Sequence, residues 1–378
     1  MSQPDLYSRI FGCMVGNAIG DALGAVVEFY SAERMQKTIG SLWLDGLLPY
    51  SPDFPTDPYG VWQPGPPRGT GTDDTRNNQI FAECVIRNHG YINSQLLAIE
   101  YIERYRDVDR LPVAHQALAE RHYRWAYDWS CAYLGMREMP PGEPTLAILQ
   151  AGNTFPMLCG LISLAFTGLL YCGQPELAYT KAMELAYNDI GYAKDATAML
   201  AAMISAALGG ADAAQMIQAG LDTDPHHFGE NRMMGQWIRR LLKVAASAPD
   251  DAALVQALAR EVSVRHPFDP VDVLGVPVAA LSFTAGDPIR SIVIAANDRD
   301  LDAQGNMLRL RDNDCTAGVA GALVGALRGV DAFPADWVRD VLQANKDIYG
   351  IDIEGNAQRF CAAVYPRMSA NDHTFVDK

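Results

Sequence analysis

Residues 69–78 read GTGTDDTRNN, with Asp73 and Asp74 side by side between Thr72 and Thr75. Two glycines precede them and the apolar run QIFAECVI follows. Adjacent carboxylates repel each other unless a positive charge stands between them. A second acidic pair, Asp312 and Asp314, opens the Ala/Gly stretch DNDCTAGVAGALVGALRG. Each pair lies at the mouth of an expected helix. Aspartate at a helix start is a good cap and suits the positive end of the helix dipole. Paired caps are therefore one reading, although a cap accounts for one carboxylate per helix rather than two. A shared cation is the other reading. Oxygen ligands with hydroxyls alongside and no histidine suit Mg²⁺ or Mn²⁺ rather than Zn²⁺.

A third segment, GNAIGDALGAVVEF (16–29), spaces Gly16, Gly20 and Gly24 four apart, on one helix face. That face lets another helix or a ligand approach the backbone closely. Asp21 and Glu28 lie two turns apart along the same side. Glu28 precedes Phe29 and Tyr30, where the helix should end, so it reads either as a pocket edge or as an exposed acid.

Helices must position these residues. Apolar and small residues recur at spacings of three and four over 7–29. Residues 72–90 read as a capped helix ending at Gly90, and Asn93 as the cap of a helix over 93–107. Segments 175–189 and 193–210 read as a helical hairpin. Further helices are expected over 231–247, 251–262, 314–329 and 334–348. Residues 276–283 and 290–297 have strand-like composition, but their Ala-rich surroundings favour helix. The Pro/Gly-rich stretch 48–71 reads as a long structured loop that leads into the first acidic pair. A second irregular segment covers 137–145. Neither divides halves of different composition, and no fixed-period repeat appears. The expectation is a single all-α domain over 1–378.

The chain has 378 residues, about half of them apolar, enough for a sizeable core. Its formal net charge is −15 and it has no basic run, which speaks against nucleic-acid binding. The N-terminus MSQPDLYSRI is polar, with no secretory signal. The longest apolar stretch, 155–173, is of marginal membrane length, has no second span beside it and reads as a buried core helix. Seven scattered cysteines without a C-x-x-C pair suggest free thiols in a reducing cytoplasm, and no histidine cluster suits zinc. The expected location is cytoplasmic, with no membrane association.

Together these segments resemble the ADP-ribosylglycohydrolase family, whose members remove ADP-ribose from arginine, serine or dinitrogenase reductase. GCMVGNAIGDALGAVVEF (12–29) looks like the family's first helix, and TDDT (72–75) like its metal loop. DNDCTAGVAGALVGA (312–326) looks like its late Asp-x-Asp loop with the helix after it. GNTFPM (152–157) is similar to a loop that lines the ADP-ribose cleft, and 190–210 looks like the helix before the central part. The resemblance implies a compact orthogonal multi-helix bundle whose cleft holds one or two Mg²⁺ ions, with Mn²⁺ as a substitute. Thr72, Asp73, Asp74, Asp312 and Asp314 are the implied ligands, and Glu28 and Asp74 the implied catalytic groups. Asp21, Gly152, Asn153, Phe155, Asp189 and Tyr192 are the implied substrate contacts. Phe155 and Tyr192 are candidates for stacking on a base, or else plain core aromatics. Cys315 stands where the family has Thr or Ser, and a neutral thiol is a poor ligand for a hard cation. Thr316 comes one residue late and needs a shifted turn to compensate. Thr154 and Leu158 replace the loop's Gly and Arg, and Asn188 or Asp189 stands where several hydrolases have His.

The implied substrate is an ADP-ribosylated protein or a small ADP-ribosyl compound. The implied reaction is hydrolysis at the anomeric carbon through an oxocarbenium-like transition state. Two alternatives stay open. One is an N-ribosyl hydrolase acting on a small nucleoside-like metabolite, and the other a non-catalytic, crystallin-like protein. Retention of all four repelling aspartates weighs against the second.

Overall fold

The computed structural model describes residues 4–136 and 155–366. Among them the chain is all-α apart from one two-stranded hairpin. Helices run Leu6–Ala25, Ala32–Thr38, Asp73–Arg87, Ser94–Arg106 and Val113–Tyr133. Cys159–Ser163, Pro175–Leu185, Tyr192–Leu208, Ala213–Asp222, Met233–Ser247 and Asp251–Val262 follow. Pro270–Phe283 and Pro288–Ala296 come next, so the two strand-like compositions are helical. The antiparallel strands Arg299–Leu301 and Met307–Leu310 pair Arg299 with Leu310 and Asp300 with Arg309. Helices Asn313–Arg328, Ala335–Tyr349 and Ile353–Val364 end the fold.

The first helix, Leu6–Ala25, is the axis of the core. Asp5 caps it by accepting the Ser8 N–H at 2.6 Å, and every residue from Arg9 to Ala25 is buried. A helix that is apolar or small all round belongs inside a protein. Its glycine face meets the late helix Asn313–Arg328 backbone against backbone. A Cβ at Gly16 would lie 2.3 Å from the Gly321 carbonyl oxygen, at Gly20 1.9 Å from that of Ala317, and at Gly24 2.2 Å from that of Asn313. From the other side, a Cβ at Gly321 would lie 1.9 Å from the Gly16 oxygen, and one at Gly325 1.9 Å from the Gly12 oxygen. The register is antiparallel. It carries the end of the first helix, with Glu28 just beyond it, to the start of the late helix, with Asp312 and Asp314.

The stretch 155–173 does not form the single core helix expected for it. It makes the short helix Cys159–Ser163 and then a 3-10 segment, Ala165–Leu170. Its small residues let irregular backbone press on the Tyr192–Leu208 helix: a Cβ at Gly168 would lie 2.5 Å from the Ala201 oxygen. Among the described residues no helix is long and apolar enough to cross a membrane.

The glycine seam tolerates no added volume. Gly20→Ala and Gly321→Ala should each destabilise the fold by about 1–3 kcal/mol, the usual cost of overpacking a close-packed interior. Urea denaturation checks this, and midpoints equal to that of the wild type would refute the backbone contact.

Candidate active site

The first helix also anchors the TDDT segment. The Asp21 carboxylate accepts the Thr72 N–H at 2.9 Å and the Thr75 N–H at 3.0 Å, together with the Thr75 hydroxyl. These bonds satisfy the free N–H groups at the start of the Asp73–Arg87 helix. Asp21, expected among the substrate contacts, thus sits beneath the loop and holds it. Beyond Ala25 the chain turns through Phe29, which has φ 54. There the Phe29 N–H donates to the Arg311 oxygen at 3.3 Å, and the Leu310 N–H to the Tyr30 oxygen at 2.9 Å. The turn bearing Glu28 is therefore tied to the strand end that leads into Asp312.

Arg311, immediately before Asp312, is buried among carboxylates. Its Nε donates to Asp272 at 2.6 Å, another of its nitrogens pairs with Asp300, and Asp298 lies 3.6 Å away. Its Nη2 donates to the Arg265 oxygen at 3.1 Å. The guanidinium is neutralised where it stands and locks the base of the Asp312 loop.

The acidic residues converge into two sets. Ligand atoms of Asp74, Asp314 and Cys315 lie within 4.8 Å of one another, and so do those of Glu28, Asp312 and Asp314. Asp314 is common to both. Thr72 Oγ1 donates to Asp314 at 3.3 Å, and the Asp73 N–H donates to the Tyr59 oxygen at 2.8 Å. The Cys315 thiol donates to Asp74 Oδ2 at 3.3 Å. Thr316 does not compensate for Cys315, because its hydroxyl donates to the Asp312 oxygen at 3.0 Å and to the Ala295 oxygen at 3.2 Å.

This much buried negative charge is costly. Burial pushes the Asp73 carboxyl up to about 8, with Arg76 pulling it down and Asp314 pushing it further up. Asp314 rises to about 7, through burial and then the charge of Asp21. Glu28, Asp74 and Asp312 are raised well above the ordinary range, first by burial and then by their acidic neighbours. The Glu28 and Asp312 carboxyls face each other, and a proton on Glu28 bridging to Asp312 helps to hold Glu28 up.

Arg76 donates to the Gly60 oxygen at 2.9 Å and the Tyr59 oxygen at 2.9 Å, and lies over the rings of Trp62 and Tyr349. It is spent on the loop. Among the described residues, Asp74 Oδ1 and Asp312 Oδ2 are buried without a hydrogen-bond partner. Orphaned carboxylate oxygens among crowded acids, with hydroxyls alongside and no histidine, fit a hard divalent cation.

The acids form the floor of a cavity of about 670 Å³, lined there by Glu28, Thr72, Asp73, Asp312, Asp314 and Cys315. Its walls are largely apolar, with Phe54, Trp125, Trp129, Ile162 and Phe268 prominent. The rings among them come from three separate segments, and the sequence reading missed them. The run YRWAYDWSCAY (123–133) was the available signal.

The expected substrate contacts fare differently. Gly152 and Asn153 lie outside the described residues. Phe155 is 45% exposed and meets His266 edge-on at 5.5 Å, so it is not a core aromatic. The Tyr192 hydroxyl donates to Asp269 at 2.8 Å and accepts from Arg265 at 3.1 Å. Asp189 is buried behind the cavity wall, where it accepts the Gly160 N–H at 3.0 Å, and burial pushes it up to about 7. Asp21, Asp189 and Tyr192 do not line the cavity.

A family model described as ADP-ribosylglycohydrolase matches residues 2–370. An uncharacterized protein of Archaeoglobus fulgidus is 25% identical over 350 residues, which is 88% of this chain and 91% of that protein. A solved structure described as an ADP-ribosylglycohydrolase-related protein complex superposes with a TM-score of 0.57 at 22% identity. That match covers 95% of this chain and 99% of the other. At such identity the likeness shows the fold.

The charge cluster generates a pH-dependent prediction. Carboxyls that hold their protons more tightly in the folded state favour folding at low pH. That stability is lost as pH rises from the ordinary 3.8 through about 7 for Asp314 and about 8 for Asp73. In chelator, the melting temperature should therefore fall between about pH 4 and pH 8. Added Mg²⁺ or Mn²⁺ should restore it, most strongly at the alkaline end, because a ligand of the native state stabilises that state. Melting curves that ignore both ions at every pH would sink the cation reading.

Proposed function

The chain belongs to the ADP-ribosylglycohydrolase family, and from that premise we propose that it is a Mg²⁺-dependent hydrolase of ADP-ribose linked to a protein side chain or a related acceptor. One observation carries the reading: two ligand sets joined at Asp314 on the floor of a cavity otherwise walled by apolar rings. Thr72, Asp73, Asp74, Asp312 and Asp314 would hold the cation, whose charge orients ribose hydroxyls and acidifies water.

The chain's own groups do the rest. Glu28 stands at the cavity wall beside Asp312, where burial and its acidic neighbours favour its protonated form. Beside the charge of a bound cation Glu28 would release that proton, and its carboxylate then accepts the proton of the water that attacks the anomeric carbon as the bond to the acceptor breaks. Asp74, deeper and hydrogen-bonded by Cys315, tunes the charge behind it. Positive charge that develops on the ribose ring is favoured by the surrounding carboxylates. Trp125, Trp129 and Phe268 receive the flat apolar part of the ligand and exclude water around it.

Cleavage of a small nucleoside-like metabolite is the second reading. It is favoured by Thr154 and Leu158 in place of the family's Gly and Arg, and by the predominance of apolar wall. Incubation with a panel of ADP-ribosylated proteins and free nucleosides, with and without Mg²⁺, separates the two. Release of ADP-ribose supports the main reading, and release of a free base from nucleosides supports the second. Cation binding with neither release would point to a non-catalytic role.

Glu28→Gln should keep the fold, checked by circular dichroism, and lose turnover by ~10²-fold or more. Equal rates would move the proton acceptor to Asp74. Asp73→Asn and Asp312→Asn should each weaken Mg²⁺ binding and depress activity steeply, as chelators should. Cys315→Thr should tighten Mg²⁺ by restoring a hydroxyl oxygen, whereas Cys315→Ala should cost little. Calorimetric titration of the three forms at position 315 is the check. Loss of binding in the Ala form, with no change in the Thr form, would make the hydrogen bond from position 315 to Asp74 essential and overturn this assignment.

A further inference from the structure

Among the described residues that line the cavity, Arg34 is the one cation, opposed by Glu28, Asp57, Asp73, Asp312 and Asp314. It lies on the short helix Ala32–Thr38, one turn after Tyr30, and its side chain is exposed at the rim. The guanidinium carbon sits 3.7 Å from the centre of the Tyr30 ring, and Nη2 donates to the Tyr30 hydroxyl at 3.0 Å. Tyr30 is itself buried, and its backbone is tied to Leu310, so the platform is rigid.

Buried arginines elsewhere in the fold are matched with acids, as Arg232 is with Asp195 and Arg311 with Asp272, or with backbone carbonyls, as Arg76 is. Arg34 is not. Among the described residues no ion pair engages it, and Asp53, which feels its charge, bonds to Ser51 instead. Among the described residues nothing accepts from its Nε or Nη1. A guanidinium held over a ring, with donors to spare, is prepared for bidentate binding of a phosphate.

We propose that Arg34 is the residue by which this cavity selects phosphorylated ribosyl ligands over unphosphorylated ones. The inference rests on the hydrolase reading and sharpens it. The acidic floor takes the ribose hydroxyls through the cation, the rings take the flat base, and the rim arginine takes the anionic link between them. A nucleoside has nothing for Arg34 to hold.

Calorimetry in Mg²⁺ tests this, with ADP-ribose, ribose 5-phosphate, adenosine and ribose as probes, on the wild type, Arg34→Ala, Arg34→Lys and Tyr30→Phe. Arg34→Ala should weaken both phosphorylated probes by about tenfold or more, the loss expected for charge-assisted hydrogen bonds, and leave the other two unchanged. Arg34→Lys should fall between, because it keeps the charge and loses the fork. Tyr30→Phe should weaken phosphorylated probes alone, in smaller measure. The inference is overturned if Arg34→Ala changes all four probes alike or none, or if the wild type shows no preference for phosphate. A wild type that prefers phosphorylated probes through Arg34 yet releases no ADP-ribose from modified proteins would uphold the inference and refute the hydrolase reading. A wild type that binds none of the probes would overturn both.

Discussion

The contact on which the site depends is the one between two backbones. Gly16, Gly20 and Gly24 of the first helix lie against Gly321, Ala317 and Asn313 of the late one, with no side chain between them. Helices that approach this closely gain dispersion along their whole length and lose adjustability, since any added atom displaces main chain. The register is thereby pinned to a single four-residue step. Glu28 and Asp314 meet because this register sets the end of the first helix against the start of the late one.

Upon this rigid base the fold assembles an excess of negative charge. Carboxylates crowd around Asp314, while the nearby cations are committed to other tasks. Arg76 braces carbonyls of the long loop, and Arg311 is balanced by Asp272, Asp298 and Asp300. A protein seeking stability alone would pair such acids or replace them with apolar residues. The arrangement makes physical sense when the missing charge arrives with a ligand, so that the unpaired acids store affinity for it.

Much of the site was legible because it is written locally. TDDT and the later Asp-x-Asp each sit in a short segment at a helix start, and the glycine spacing announces close approach. The helix from Asp73 to Arg87 and its end near Gly90 follow from capping chemistry. What was not legible depends on distant partners. Asp21 cannot be told from a substrate contact until Thr72 and Thr75 are seen above it. The walls draw Trp125 and Trp129 from one helix but Phe54 and Phe268 from distant segments, and no local pattern joins the three. Helix Val113–Tyr133 mixes polar and aromatic residues without a clean stripe and was not read as a helix. The stretch 155–173 misled because uninterrupted apolarity signals burial and not shape. The hairpin of Arg299–Leu301 and Met307–Leu310 is too short to leave a period.

The seam has a consequence for synthesis. A ribosome makes the first helix long before its partner, with most of the fold's other helices in between. Until residues 313–328 emerge, the glycine face of Leu6–Ala25 has nothing to lie against, and Asp21 holds a loop that lacks its second acidic half. Nucleation through local helices is quick, but closure across so long a separation must wait until the late helix is made. Over that interval the glycine face stays uncovered. A centre whose halves lie so far apart in sequence leaves one of them open to solvent until the other arrives.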